Sequence, residues 1–158
     1  MPSTANGAFS VTPIEIYGSD WVQDYLNLDG KPFSLEHFPF MRDIYDQDCP
    51  SLLLKTCRQV GKSTTLANLL IMNSCLRKFW KQLFIAPTQE QTQRFSQSRY
   101  SRVLALSPRL KGRWTAQDET SRVFYKSFKN GSECVLSYAS DNADRVRGVT
   151  AQEVFYDE

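Results

Sequence analysis

Apolar positions along the chain recur with two periods, and the places where one gives way to the other divide it into elements. The opening MPSTANGAFSVTP is small, polar and Pro-bounded and reads as a loosely attached arm. Ser19-Asp20 then supplies an N-cap for WVQDYLNL, about two helical turns stopped by Asp29-Gly30 and Pro32. A second short helix is expected from 39 to about 45. Residues 51–57 (SLLLKTC) form an apolar run of strand length. After Gly61, KSTTLANLLIMNSCLRKFW places Leu66, Leu69, Leu70, Cys75, Leu76 and Phe79 on a broad apolar helix face, with basic residues in the last turn. KQLFIAP is again strand-like. Thr88 with Gln91 three residues on makes a capping box that opens a helix towards Leu106, before Pro108. RVFYKSF and ECVLSYA flank Lys129-Asn130-Gly131-Ser132, and Asn-Gly between strand-like runs signals a hairpin. Residues 153–158 (EVFYDE) read as a buried strand ending in two carboxylates. Strand, loop, helix, strand, helix predicts an α/β fold with a parallel sheet flanked by helices.

Composition narrows the class. With 158 residues, 41% of them hydrophobic, the chain is one domain long and can bury a core. No uncharged apolar run reaches the roughly 18 residues of a membrane span, and the start lacks the pattern of a secretory leader. Cys49, Cys57, Cys75 and Cys134 show no CxxC spacing and have one histidine, His37, for company, which argues against a zinc site and a disulfide scaffold. The expected setting is therefore reducing and cytoplasmic, with no membrane partner. Net charge is +2, but it is segregated: residues 1–50 carry two basic and eight acidic side chains. Between Arg77 and Arg113, nine basic residues face only Glu90. Such a segment is either a polyanion footprint or a solvated surface. Arg94, Arg99 and Arg102 share no clean helical stripe, so the loop side chains Arg109, Lys111 and Arg113 are the better candidates for phosphate contact.

Gly61-Lys62-Ser63 lies between a predicted strand and a predicted helix. In such a loop, backbone N–H groups surround a phosphate chain, the helix N-terminus adds its positive dipole end, lysine reaches the terminal phosphates and a serine hydroxyl binds Mg²⁺. The first glycine of the usual G-x-x-x-x-G-K-[ST] pattern falls at Thr56, so the loop is deviant. A second constellation supports it. Asp157 and Glu158 follow three apolar residues, and ATP hydrolysis needs an acid at a strand end for the Mg²⁺ shell and often a neighbouring glutamate to orient water.

Three segments together resemble the large terminase subunits, the ATPases that drive DNA into the empty capsids of tailed viruses. Cys57-Arg58-Gln59-Val60-Gly61-Lys62-Ser63-Thr64 resembles that family's Walker A loop, which also lacks the first glycine. Leu83-Phe84-Ile85-Ala86-Pro87-Thr88 resembles the strand and helix that follow it, and Asp144-Arg145-Val146-Arg147-Gly148 resembles the Arg-Gly segment before Walker B. The resemblance spans about 33–158. It implies a P-loop NTPase fold of the additional-strand, RecA/helicase-like kind, with residues 1–32 as an arm and short helix and 33–158 as the ATPase domain. It further implies that ATP lies along Thr56, Cys57, Arg58, Gln59, Val60, Gly61, Lys62, Ser63 and Thr64. Ser63 and Asp157 would hold Mg²⁺, Glu158 would activate water, Arg58 would sense the γ-phosphate, and Arg147 would reach a neighbouring subunit.

The segment 37–45 stands where the family binds adenine, with Phe40 and Tyr45 as the aromatic candidates; packing of a short helix is the competing role for both. The implied partners are double-stranded DNA, further copies in a ring at a capsid portal, and a small terminase subunit, in the host cytoplasm. By the same resemblance a strand following Walker B lies between the Walker A and Walker B strands and a nuclease domain comes after it. A gap or an improvised pairing is therefore expected in this chain's sheet, and slow hydrolysis or none. A helicase-like nucleic-acid-dependent ATPase, or a non-catalytic nucleic-acid-binding module, are the alternatives.

Overall fold

The computed structural model describes residues 17–112, 114, 122–139 and 148–157. Helix α1 (Gly18–Tyr25) leads into a two-residue hairpin, β1 (Asn27–Leu28) and β2 (Lys31–Pro32), that turns at Asp29-Gly30. A 3₁₀ turn (Pro39–Met41) runs into α2 (Arg42–Asp46). Helix α1 sits hard against α2: a side chain at Gly18 would meet the Tyr45 carbonyl oxygen at 2.1 Å. The Ser19 backbone N–H and hydroxyl both donate to the Asp46 carboxylate, at 2.7 and 2.8 Å. Trp21, Val22 and Leu26 thereby enter the same core as Leu70 and Phe84.

Helix α3 (Lys62–Leu76) is the central helix, buried at Thr65 and from Ala67 through Cys75. That burial is wider than the face expected from its pattern. The helix is enclosed by α1, the sheet and the helical segment after β3, so polar Asn68, Asn73 and Ser74 are covered along with the leucines. The expected face also ends early. Leu76 is partly exposed, and Phe79 lies beyond the helix with its ring 73% exposed and a left-handed backbone (φ 54).

Strand β3 (Lys81–Ala86) buries Gln82, Leu83, Phe84 and Ala86, so both its faces are covered. Thr88 caps the next helix as its sequence predicts: the Gln91 N–H donates to Thr88 Oγ1 and the Thr88 N–H to Gln91 Oε1, both at 3.2 Å. That helix is α4 (Gln89–Phe95), a π-helical turn (Ser96–Tyr100) and α5 (Ser101–Leu106) in succession. The Phe95 ring stacks on Phe84 at 4.0 Å.

Strands β4 (Tyr125–Ser127) and β5 (Glu133–Tyr138) pair antiparallel across the Asn130-Gly131 turn. The Asn130 amide then donates to the carbonyls of Ser74, Cys75 and Arg77, closing the C-terminal end of α3. Strand β6 (Glu153–Tyr156) completes a four-stranded sheet in the order β4-β5-β3-β6, with β5 and β6 both parallel to β3. The mixed sheet with its parallel centre and flanking helices is the α/β arrangement expected.

Further expectations fail. Helix α1 starts at Gly18 after Tyr17 with no side-chain cap, so Ser19-Asp20 lies inside its first turn and not at its N-cap, and residues 27–28 leave the helix for β1. Residues 51–57 form no strand; they run as exposed chain, with Leu53 88% exposed. Strand β6 is not buried: Val154 and Tyr156 are exposed, because among the described residues β3 pairs with one edge of β6 and no strand pairs with the other. Strand β6 therefore stands at the edge of the sheet among the described residues, and with no strand at 51–57 there is no second side across which a gap could be seen. A cleft of about 840 Å³ separates 51–56 from β6, with Leu66, Leu69, Met72 and Asn73 of α3 in its wall. The N-terminal arm lies outside the described residues.

Candidate active site

The loop before α3 is shaped by two residues of left-handed backbone, Gln59 (φ 63) and Gly61 (φ 83). Gly61 relieves the strain that a Cβ would incur there. The turn delivers the chain into α3 at Lys62, and the first intrahelical bond, Thr65 N–H to the Gly61 carbonyl, is 2.8 Å. Thr65 Oγ1 donates to the same carbonyl (3.1 Å) and lies 3.0 Å from the Met41 sulfur, which seats the loop on the 3₁₀ turn. A fifteen-residue helix thus begins at Gly61-Lys62, and its first-turn amides have no partner within the helix. Those amides and the positive dipole end make an anion site. Lys62, Ser63 and Thr64 are half-buried in that turn, while Cys57 and Arg58 are exposed.

Asp157 comes to the same end of the sheet. Its N–H donates to the Ile85 carbonyl at 3.0 Å, which continues the β3–β6 ladder one residue past the strand. Lys62, Thr56 and Asp157 all line the 840 Å³ cleft. The structure therefore places an ammonium at a helix start and a carboxylate past a strand end on the walls of one cleft, which also runs past Asn73, Arg77 and Glu153 at the other end of β6. Among the described residues no three His, Cys, Asp or Glu side chains form a metal-binding group. Asp157 gives the cleft one carboxylate, and Ser63 follows Lys62 half-buried in the first turn of α3; a carboxylate and a hydroxyl are oxygen donors of the kind Mg²⁺ takes.

The other end of β6 holds a cluster that its sequence did not disclose. Glu153 accepts from the Asn73 amide through both carboxylate oxygens (2.9 Å each), from the Trp80 indole N–H (3.1 Å) and from the Gln82 amide (3.0 Å). Ser74 Oγ donates to Gln82 Oε1 at 2.7 Å, and Arg77 stacks over the Trp80 ring at 4.4 Å. Asn73 and Gln82 carried the available signal, as amides inside otherwise apolar helix and strand patterns that must find partners when buried.

The aromatic candidates separate. Tyr45 is a core residue, 3% exposed, edge-on to Phe33, with its hydroxyl accepting from the Asn68 amide at 3.2 Å. Burial raises its pKa, opposed by that hydrogen bond. Phe40 is exposed one residue from Met41, and its partner Phe38, 6.2 Å away edge to face, is a second exposed ring not singled out by sequence. His37 is exposed. Arg147, Glu158 and Arg113 lie outside the described residues.

Three arginines of the basic segment are engaged, two of them in ion pairs. Arg94 pairs with Glu90 (2.9 Å), Arg102 with Asp29 (2.9 Å), and Arg109 donates to the Asp24 carbonyl (2.8 Å). No helix among the described residues is long and apolar enough to cross a membrane.

None of the curated proteins compared matches the chain. A family model does: phage terminase large subunit gpA, ATPase domain, over residues 29–158. That match takes in the loop before α3, the sheet and the strand that carries Asp157, and by it this chain belongs to the phage terminase large subunit gpA ATPase-domain family.

Proposed function

We propose that the chain is the ATP-binding and hydrolysing module of a DNA-packaging motor, with an additional-strand P-loop fold of the RecA/helicase-like kind. The observation that carries this reading is the meeting of Lys62, at the first position of α3, with Asp157, at the end of β6, on one cleft. Lys62 balances the charge of the β and γ phosphates while the first-turn amides of α3 orient them. Ser63 and Asp157 hold Mg²⁺, which when bound neutralises charge on the phosphate oxygens. Glu158 orients the attacking water, Arg58 lies close enough in sequence to sense the terminal phosphate, and Arg147 serves a neighbouring subunit in a ring; these three roles rest on the family resemblance. Of the two aromatic candidates Phe40 is the exposed ring, while Tyr45 lines the cleft from the core.

Residues 51–57 and β6 are the Walker A and Walker B sides of a sheet that takes a further strand between them. The unpaired edge of β6 and the cleft beside it support that reading, and the motor's substrate is double-stranded DNA delivered to a procapsid with a small subunit as partner.

The test is Mg·ATP binding by calorimetry. Lys62→Ala removes the point charge on the terminal phosphates, and affinity is expected to fall at least about a hundredfold, the scale of a lost charge-assisted contact. Equal affinities for the folded wild type and variant would overturn the assignment.

A further inference from the structure

We infer that Glu153 is a positioning residue that fixes the register of β6 and locks it to α3, so that Asp157 keeps its place on the cleft that Lys62 lines. The inference rests on the nucleotide-site reading above and adds to it a residue that touches neither nucleotide nor metal.

The register of β6 needs such a device. The strand has four residues, one paired edge among the described residues, and none of its side chains is fully buried. Register is ordinarily set by the burial of alternate side chains, since a one-residue slip exchanges the faces. Here that signal is weak, because Val154 and Tyr156 face solvent while Glu153 and Phe155 are only half-covered. Glu153 replaces it with chemistry. Asn73, Trp80 and Gln82 all present N–H groups to one carboxylate. Gln82 is held in that sense because its carbonyl oxygen is already engaged by Ser74. A slip by one residue would set Gln152 or Val154 before these donors, and a slip by two would set Ala151 or Phe155 there; none is a carboxylate.

The same carboxylate joins the two elements that bear the proposed ligands. Asn73 lies in the last turn of the helix that begins at Lys62, a lever of about 16 Å at the helical rise. Glu153 begins the strand that ends beside Asp157, a lever of about 13 Å at the strand rise. Both run from the Glu153 node towards the nucleotide end. The bonds are charge-assisted and stronger than amide pairs, so they hold one relative position of helix and strand.

The experiment titrates the 158-residue chain with ATP in the presence and absence of Mg²⁺ and follows hydrogen exchange at the Asp157 amide. Glu153→Gln turns an N–H towards donors, and the Mg²⁺-dependent gain in affinity is expected to fall about tenfold, as when an outer-shell partner of a metal ligand is lost. Metal-free ATP affinity, which depends on the loop, should stay within about twofold on the same principle, while the Asp157 amide exchanges faster. The pair Asn73→Asp with Glu153→Gln restores an acceptor against the new amide and should recover both readouts. A general loss of structure would instead lower metal-free and Mg²⁺-dependent binding together and would not be rescued.

Should Glu153→Gln not fold, Gln82→Met removes one of the donors and should lose the Mg²⁺ gain in the same direction. Wild-type Mg²⁺ dependence and unchanged Asp157 exchange in the folded variant would overturn the inference and leave the nucleotide site standing. A wild type with no Mg²⁺-dependent gain, or Asp157→Asn that keeps it, would overturn the nucleotide-site reading itself and this inference with it.

Discussion

Residues 51–57 (SLLLKTC) and 81–87 (KQLFIAP) read alike, as short apolar runs bounded by polar residues, yet 81–86 is the buried centre of the sheet while 51–57 pairs with no strand among the described residues. Phe84 is fully buried and Leu53 is 88% exposed. The difference lies in the neighbours. β3 has β5 on one edge and β6 on the other, with α3 and α4 packed against it. Residues 51–56 instead border the 840 Å³ cleft. β-propensity is thus the capacity to fit a pleated, half-covered surface, and where the ladder beside it is missing the same pattern yields extended chain.

The sharpest way to break this comparison is to cut one large side chain from each run. Phe84→Ala removes a ring stacked on Phe95 and should cost about 3–5 kcal/mol, whereas Leu53→Ala should change stability by less than about 0.5 kcal/mol. Urea unfolding of the two variants measures both, and similar losses would show that 51–57 is packed in solution. A smaller effect is expected at the loop that joins the exposed run to α3. A Cβ at Gly61 meets nothing closer than the Met41 methyl at 3.8 Å, so Gly61→Ala should cost only the strain of φ +83, about 1–2 kcal/mol. A thermal midpoint equal to wild type would mean that the loop takes another conformation.

The cysteines give the finest probe, two near the exposed run and two in the core. Cys49 and Cys57 are exposed, while Cys75 and Cys134 are buried. Burial raises the Cys75 thiol well above its ordinary value and pushes Cys134 up to about 12. The unfolded chain releases the Cys134 proton near 9.0, so between that pH and about 12 the folded state holds a proton that the unfolded state lacks. The contribution is complete below pH 9.0 and is lost as pH rises towards 12. The urea midpoint should therefore fall between about pH 8 and about pH 10.5, with a shallower slope in Cys134→Ala. Iodoacetamide on the folded chain should label Cys49 and Cys57 and spare the other pair.

What could be read in the sequence was local. The Thr88–Gln91 capping box, the Asn130-Gly131 turn and the glycine before Lys62 each act through atoms within a few residues, and each stands where the pattern puts it. Asp157 reaches the cleft that Lys62 lines by following the C-terminal end of β6, whereas Lys62 is placed there by α3. What could not be read depended on distant partners. The burial of Tyr45, a candidate ring for adenine that lines the cleft, follows from Asn68 and Phe33. Lys126 looks like a strand surface residue, yet it is 1% exposed, with Nζ on Ser101 Oγ at 2.8 Å and on the Arg122 carbonyl. Glu153 collects donors from 71 to 80 residues away. The π-helical turn at Ser96–Tyr100 carried no signal in the spacing of apolar residues.

The ion pairs Arg94–Glu90 and Arg102–Asp29 bear on any polyelectrolyte this surface meets. A free arginine that neutralises a DNA phosphate liberates condensed counterions, which steepens the fall of log affinity with log salt by about 0.9 per contact. An arginine that leaves a carboxylate to do so exposes that carboxylate, which gathers a cation of its own from solution. The ions released at the phosphate and those taken up at the carboxylate then largely cancel. Arg94 and Arg102 would thus add little to the salt slope even while touching DNA, and a slope measured on this protein counts its unpaired cations rather than its basic residues.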